Sequence, residues 1–430
     1  MMTVLGIVLF FLGILLSVAW HELGHLLAAK RFGIKVPEFF VGFGRTLWSV
    51  KRGETEYGVK LVPLGGYIRM IGMIPPARGE GMLGSSRRTG PFQSLIDDVR
   101  SQSASEVRPE DVERQFWTRA PWKRVVVMFA GPFMNLVLAV LIFTFSLMVI
   151  GAPTGTNTTV SAVSKCVVPA TATTAVCPPD APLTPAAAAG FQAGDRIVSF
   201  QGRPYAPDQW GDLQKAIRAA SGTVTVVVDR GGQQVELHPT LVTTDLPDLD
   251  NPKAIVRGSF LGLSPVTFYE PQGFGVVVDR IGDVIARTGE AIVALPQRVP
   301  GLFGAVFLGE KRDQDSPVGV VGASRLGGQI LDQDLPVKTE ISIFLNLLAL
   351  VNISLFLFNL LPIPPLDGGQ IFPAIWEGIR RRIAKLRGKP DPGPVDVARL
   401  MPFAYVVALV FVAWSGLLFV ADIINPVTIN

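Results

Sequence analysis

His21-Glu22-Leu23-Gly24-His25 sets two imidazoles four residues apart with a carboxylate between them. On a helix, positions i and i+4 share a face, so both rings can reach one Zn²⁺. Glu22 then stands where it can take a proton from a water at the metal. The pattern also arises by chance, so its setting decides its weight. The chain has 3 histidines, and two of them sit here in an apolar segment, where ionisable groups are costly. The competing reading is a pair of interfacial histidines reaching for headgroups from a helix end. A catalytic zinc usually takes three protein ligands. His238 falls in a segment expected on the other side of the membrane and reads as a surface histidine. Asp367 is the better third ligand, being the only acidic residue from Ile341 to Trp376. Alone it would read as the N-cap of a helix opening at Gly368-Gly369. Beside two histidines it reads as a ligand.

The elements around these residues must bring them together. Asn359-Leu360-Leu361-Pro362-Ile363-Pro364-Pro365-Leu366 interrupts an apolar run with three prolines, so the helix opens just before Asp367. Open backbone at membrane depth is tolerated where it is buried in protein or lines a wet cavity, which hydrolysis needs. Gly131-Pro132-Phe133-Met134-Asn135 places a glycine, a proline and an amide in another apolar run.

Composition makes these runs membrane spans. Hydrophobic residues are 49%, charged residues 17%, and mean hydropathy is +0.40. Four stretches carry no charge: Thr3 to Trp20, Val125 to Gly151, Ile341 to Leu361 and Leu400 to Ala421. Each has the roughly 20 residues a spanning helix needs, and none shows the polar stripe of a soluble core helix. The first lacks the basic start and small-residue cleavage site of a signal peptide. Between Lys30 and Arg124 there are 17 Lys+Arg against 10 Asp+Glu, and between Pro362 and Arg399 there are 7 against 4. Ala152 to Lys338 has 15 against 18. The positive-inside rule therefore puts the two short connections in the cytoplasm and the N-terminus outside. The ends of spans one and three, and the start of span two, then share one leaflet. The net charge of +4 follows from topology, since no aromatic-interleaved basic patch suggests nucleic acid.

Elsewhere, Thr46–Val50 and Thr55–Leu61 flank Lys51-Arg52-Gly53-Glu54, a hairpin signal. Residues 75–113 are polar and rich in Gly, Ser and Arg, the composition of a flexible loop. From Thr158 to about Val242, short strands (Arg196–Phe200, Thr223–Val228, Gln234–Leu237) and a helix around Asp212–Ala220 predict a small α+β domain. Phe274 to Gln297 has helical apolar spacing and is expected on the outer membrane face. Cys166 and Cys177 fall on the outer side, where a disulfide and two free thiols remain open readings.

The HELGH of His21–His25, the GPFMN of Gly131–Asn135 and the NLLPIPPLDGG of Asn359–Gly369 resemble, in order, the three core motifs of the site-2 protease family of intramembrane zinc metalloproteases. Four spans with a soluble insert between the second and third resemble its bacterial branch that cleaves anti-sigma factors. The resemblance implies that His21, His25 and Asp367 bind Zn²⁺ and that Glu22 is the catalytic base. It also implies that Asn359, Pro362 and Pro364 shape the broken helix and help hold substrate, with Asn135 a further substrate-binding candidate. Leu64-Gly65-Gly66-Tyr67-Ile68-Arg69 is similar to the family's membrane-associated β-loop, which makes Gly65, Gly66 and Tyr67 candidates for binding an unwound substrate along a strand edge. The alternative there is a simple packing hairpin. Ala188-Ala189-Gly190-Phe191-Gln192-Ala193-Gly194-Asp195-Arg196-Ile197 resembles a bacterial PDZ domain, single where the branch often has two. Ser316-Pro317-Val318-Gly319-Val320 is similar to a short family motif before span three, with Ser where Gly is commoner.

The expected fold is a polytopic α-helical membrane protein with about four spans, a membrane-associated β-hairpin and one extracytoplasmic PDZ-like α+β domain. Its parts are residues 1–74 with the first span and β-loop, 75–121 a cytoplasmic polar loop, and 122–151 the second span. Residues 152–245 form the PDZ-like domain and 246–338 an outer segment with an amphipathic helix. Residues 339–370 form the third span, 371–399 a cytoplasmic loop, and 400–430 the fourth span and C-terminus. The expected function is cleavage of single-pass membrane proteins in a bacterial plasma membrane, anti-sigma factors among them. Its partners are the bilayer, those substrates and a PDZ ligand peptide, with no nucleic acid. The competing functions are a catalytically silent PDZ scaffold, which would have no need to keep Glu22, and a metal transporter, which would show repeated halves.

Overall fold

A computed structural model describes residues 2–76, 93–167, 177, 181–249, 251, 254–310, 312–313, 316–331 and 337–427. Four helices are long and apolar enough to cross a membrane: α1 (Met2–Arg31), α3 (Pro121–Phe145, continued by a π turn through Ile150), α9 (Val337–Asn359) and α11 (Met401–Ile424). Lipid is as apolar as leucine, so such helices associate through small residues and polar contacts. A Cβ at Gly24 would stand 2.3 Å from the carbonyl oxygen of Ala130, so α1 and α3 touch backbone to backbone. Trp20 Nε1 donates to the Met134 carbonyl (2.9 Å), and Asn352 Nδ2 of α9 donates to Ser17 Oγ of α1 (2.9 Å). Nearer its N-terminus α1 meets α8 (Val320–Ile330), where Gly6 lies against Gly327 and Gly328. A fully buried ion pair, Arg312 Nη1 to Asp422 Oδ1 at 3.0 Å, ties α11 to the approach of α8, whose Gly319 and Gly322 amides donate to Asp422 Oδ2.

Between α1 and α3 lies the hairpin β1 (Glu38–Arg52) and β2 (Thr55–Arg69). Both strands run longer than the alternation around the turn suggests, and they curl. The first residues of β1 pair with both ends of β2: Phe39 faces Tyr57 on one side and Ile68 on the other. Residues 66–69 thus form an outer strand with a single partner among the described residues. The polar connection 75–121, expected as a loop, contains α2 (Gln93–Ser105) and a 3₁₀ helix (Pro109–Arg114), while residues 77–92 lie outside the described part.

The domain between α3 and α9 contains β3 (Ala152–Val163), the short α4 (Pro185–Ala188), β4 (Arg196–Phe200), β5 (Arg203–Pro204), α5 (Trp210–Ala219), β6 (Val226–Arg230), β7 (Gln233–Leu237), β8 (Val242–Pro247), β9 (Ile255–Phe260) and β10 (Leu263–Glu270). Its main sheet runs β10-β3-β4-β6-β7, with β5 against β4, and β8–β9 make a separate hairpin. Ile197, Leu213, Val226 and Val228 are fully buried in its core. The end expected at 245 is corrected: β10 pairs along β3, so the domain continues to Glu270, because an isolated β3 edge needs a partner. Cys166 and Cys177 are bonded.

The chain then continues through α6 (Phe274–Val293) and α7 (Leu295–Phe307). Ile281, Val284 and Ile285 of α6 pack on the Ala139–Phe143 and Ala349–Ile353 surface of α3 and α9. The connection 371–399 is also corrected. It opens with α10 (Gly368–Leu386), whose apolar residues recur at helical spacing between basic ones.

Candidate metal centre

His21 and His25 face one way from the last turns of α1, both buried, with Nε2 atoms 3.1 Å apart. Asp367 arrives from the open segment after α9, and its Oδ2 lies 3.2 Å from His21 Nε2 and 3.3 Å from His25 Nε2. Among the described residues this is the one cluster whose donor atoms could hold a metal. Asp367 occupies the N-cap position of α10, yet its side chain caps no amide. The segment can close so tightly because Gly368 and Gly369 follow: a Cβ on either would lie within 2.5 Å of backbone atoms of Leu361 or Pro364.

The surroundings fit a cation. Asp367 Oδ2 is buried without a hydrogen-bond partner while facing two ring nitrogens, an arrangement that a metal between them resolves. His25 Nδ1 lies 2.8 Å from the Val127 carbonyl, which can only accept, so Nδ1 carries the proton and Nε2 keeps its lone pair for a metal. Asn135 lies 3.3 Å from His21 Nδ1, and its Oδ1 is buried and unsatisfied. Exchanging the two ends of that amide lets Oδ1 accept from His21 Nδ1–H, which satisfies Oδ1 and frees His21 Nε2 as well. Gly131 completes the cradle, since a Cβ there would stand 2.1 Å from His25 Nε2.

Glu22 points to the hairpin. Gly66 packs on its Cγ, and the Ile68 amide hydrogen-bonds its carboxylate. The expected residues therefore gather unevenly. His21, His25, Asp367 and Glu22 meet, and Gly66 joins them on the strand edge. Gly65 holds a left-handed turn (φ 127°) beside it. Tyr67 turns away, stacking on Phe40 and Phe43 and donating to Glu38 Oε2 (2.9 Å). Asn135 is buried against His21. Asn359 Nδ2 donates to the Leu355 carbonyl of its own helix (3.0 Å), and Pro362 and Pro364 lie in the open segment. His238 is a surface residue, 3.6 Å from Glu236.

One feature of the site escaped the sequence. Arg124 opens α3, and its Nη2 lies 2.5 Å from Oε1 of the buried Glu377 on α10, which also receives Arg381 Nη2 at 3.0 Å. α3 thus carries three handles: Arg124 for the helix of Asp367, the Val127 carbonyl for His25 and Asn135 for His21. A basic pair, Lys123-Arg124, at a span's start and a lone glutamate among basic residues were the available signals.

The family model for peptidase family M50 matches residues 9–392. The chain belongs to peptidase family M50. Curated relatives include zinc metalloprotease Rip1 of Mycobacterium tuberculosis, 35% identical over 437 residues with 99% of each chain covered. Rip1 of Mycolicibacterium smegmatis is 35% identical over 445 residues, covering both chains fully. A putative zinc metalloprotease of Staphylococcus aureus is 26% identical over 471 residues, covering 97% of this chain and 98% of its own. This M50 protein is accordingly a zinc metalloendopeptidase of the site-2 protease family and a multi-pass membrane protein.

Proposed function

We propose that the protease hydrolyses a peptide bond in the transmembrane segment of single-pass membrane proteins, with His21, His25 and Asp367 holding zinc and Glu22 as general base. The observation that carries this reading is the meeting of the three donor groups with Glu22 directly beside a strand edge that has one partner. Zinc supplies Lewis-acid polarisation of the scissile carbonyl and acidifies water. The protein supplies the rest. Val127 and Asn135 fix the two rings, and the Ile68 amide anchors the Glu22 carboxylate at the strand edge beside them. A helical peptide bond is sealed in its own ladder, so substrate must unwind. The outer edge of residues 66–69 offers an extended segment the backbone partners it would otherwise lose, beside Glu22. Gly65 and Gly66 allow that close approach, while Asn359, Pro362 and Pro364 keep the opposite wall open. Tyr67 supports the strand from behind, and Asn135 acts through His21.

The basic connections favour a cytoplasmic placement of this end of α1 and an outer placement of the N-terminus and β domain. The resemblance of residues 188–197 to a PDZ module supports a peptide-binding role for the β domain, which would take an extended segment. Regulated release of a cytoplasmic factor, by anti-sigma cleavage in a bacterial plasma membrane, is the role that suits this layout. Purified full-length Glu22→Ala tests the chemistry: zinc should stay bound while peptide cleavage falls by about 10²–10⁴-fold. Cleavage at the wild-type rate would remove Glu22 from the mechanism.

A further inference from the structure

α10 has two faces with different demands. Its inner face is fixed to the protein: Pro373, Ala374 and Glu377 are buried, and Glu377 meets Arg124 of α3 and Arg381. Its outer face carries Phe372, Ile375, Trp376, Ile379, Ile383 and Leu386, spaced as one helical stripe and each 43–79% exposed. Cationic side chains border the stripe. Arg380 and Arg387 lie on one flank and Arg382 on the other, with Lys385 and Lys389 towards the C-terminal end. The nearby carboxylates are taken elsewhere: Glu377 by Arg124, Asp391 by Arg381, and Asp396 by Arg100 and Arg399. None of the described carboxylates forms an ion pair with Arg382, Lys385, Arg387 or Lys389.

The helix is too charged to cross a bilayer and is not among the spanning helices. It nevertheless starts directly after Asp367, where the chain leaves α9 at the membrane boundary. A stripe of large apolar side chains at that depth, with a tryptophan in it and cations on both borders, is the pattern of a helix lying in the interface. We propose that the outer face of α10 docks on anionic phospholipid headgroups of the cytoplasmic leaflet, its apolar stripe in the acyl boundary and its cations on the phosphates. Leaflet depth rests on the orientation proposed above, whereas headgroup chemistry rests on the stripe and its borders. Because the inner face is locked to α3, this docking holds the element that delivers Asp367 from the lipid side.

The test uses the full chain with Ile383→Cys, which gives one reactive thiol because Cys166 and Cys177 are bonded. The thiol carries an environment-sensitive fluorophore, and the protein is placed in vesicles of phosphatidylcholine with phosphatidylglycerol. The probe should emit as in an apolar medium, be quenched by lipid-borne nitroxides near the headgroups, and resist aqueous iodide. Independently, wild-type protein analysed by native mass spectrometry should retain phosphatidylglycerol over phosphatidylcholine. Arg382→Glu/Lys385→Glu/Arg387→Glu should lower that retention by at least roughly tenfold. Free access of iodide would overturn the docking and leave the stripe facing water, and resistance to iodide without nitroxide quenching would overturn it in favour of a protein cover. Equal phosphatidylglycerol retention in the triple variant would overturn headgroup recognition. Neither readout involves peptide cleavage, so either failure leaves the proposed reaction standing.

Discussion

The β domain and the membrane core are held by opposite chemistries. In the β domain, Ile197, Leu213, Val226 and Val228 fill a dry core, and the polar cluster of Asp195 with Arg230 sits at its rim. In the core, the tight contacts are glycines against backbone and polar groups against one another: Gly24 on Ala130, Asn352 on Ser17, Arg124 on Glu377 and Arg312 on Asp422. Water drives apolar groups together in the first region. In lipid that drive is absent, so specificity between helices falls to small and polar residues. The proposed metal site uses the same means, and α3 sets its geometry through an arginine, a carbonyl and an amide.

That contrast can be broken from either side. The largest effect is expected for Gly131→Ala, whose methyl would enter the space beside His25 Nε2. Zinc affinity should drop by about 10–100-fold with the helices still assembled, as read by metal content and circular dichroism. Glu377→Gln should come next. It leaves Arg124 buried without a counter-charge, which costs about 3–5 kcal/mol, and it frees α10. Both the melting temperature and the zinc affinity should fall, and the exchanged pair Arg124→Glu/Glu377→Arg should recover part of each. A fall in melting temperature alone would make the pair structural only.

Leu213→Ala attacks the other region. It should cost about 2–5 kcal/mol in the β domain, seen as faster hydrogen exchange in β4 and β6, with zinc content unchanged. The smallest effect concerns Asp195. Burial works to raise its pKa, but the Arg230 guanidinium (2.7 Å) and the Gln192 amide (2.8 Å) outweigh this and hold it below the usual carboxylate range. Its stabilisation is therefore present above the ordinary carboxylate pKa and lost as pH falls through the lowered folded value. Asp195→Asn should exchange faster at neutral pH and show a flatter acid limb than wild type.

The same contrast explains what the sequence made legible. The four spans and the meeting of His21, His25 and Asp367 were readable because a histidine pair and a lone aspartate are conspicuous against hydrocarbon. In the β domain, the strand at Arg196–Phe200 matched its alternation. β10 was missed because its pairing with β3 is long-range and carries no local signal. α10 was read as a loop because its charges mask an apolar stripe that only a helical period reveals. The paired cysteines could not be assigned from two residues alone. Arg124 and Glu377 are 253 positions apart, from 124 to 377, and only folding shows them to be partners. Asn135 was recognised as important, but its contact with His21 depends on how α1 crosses α3.

X-ray absorption at the zinc edge, on the full-length protein and on Asp367→Ala, tests the central claim most directly. The wild type should hold one zinc per chain with two imidazole nitrogens and oxygen donors, and the variant should show a marked loss of bound zinc. Full zinc occupancy with an unchanged spectrum in Asp367→Ala would contradict the assignment of the third ligand and, with it, the meeting of α1 and the end of α9 around one cation.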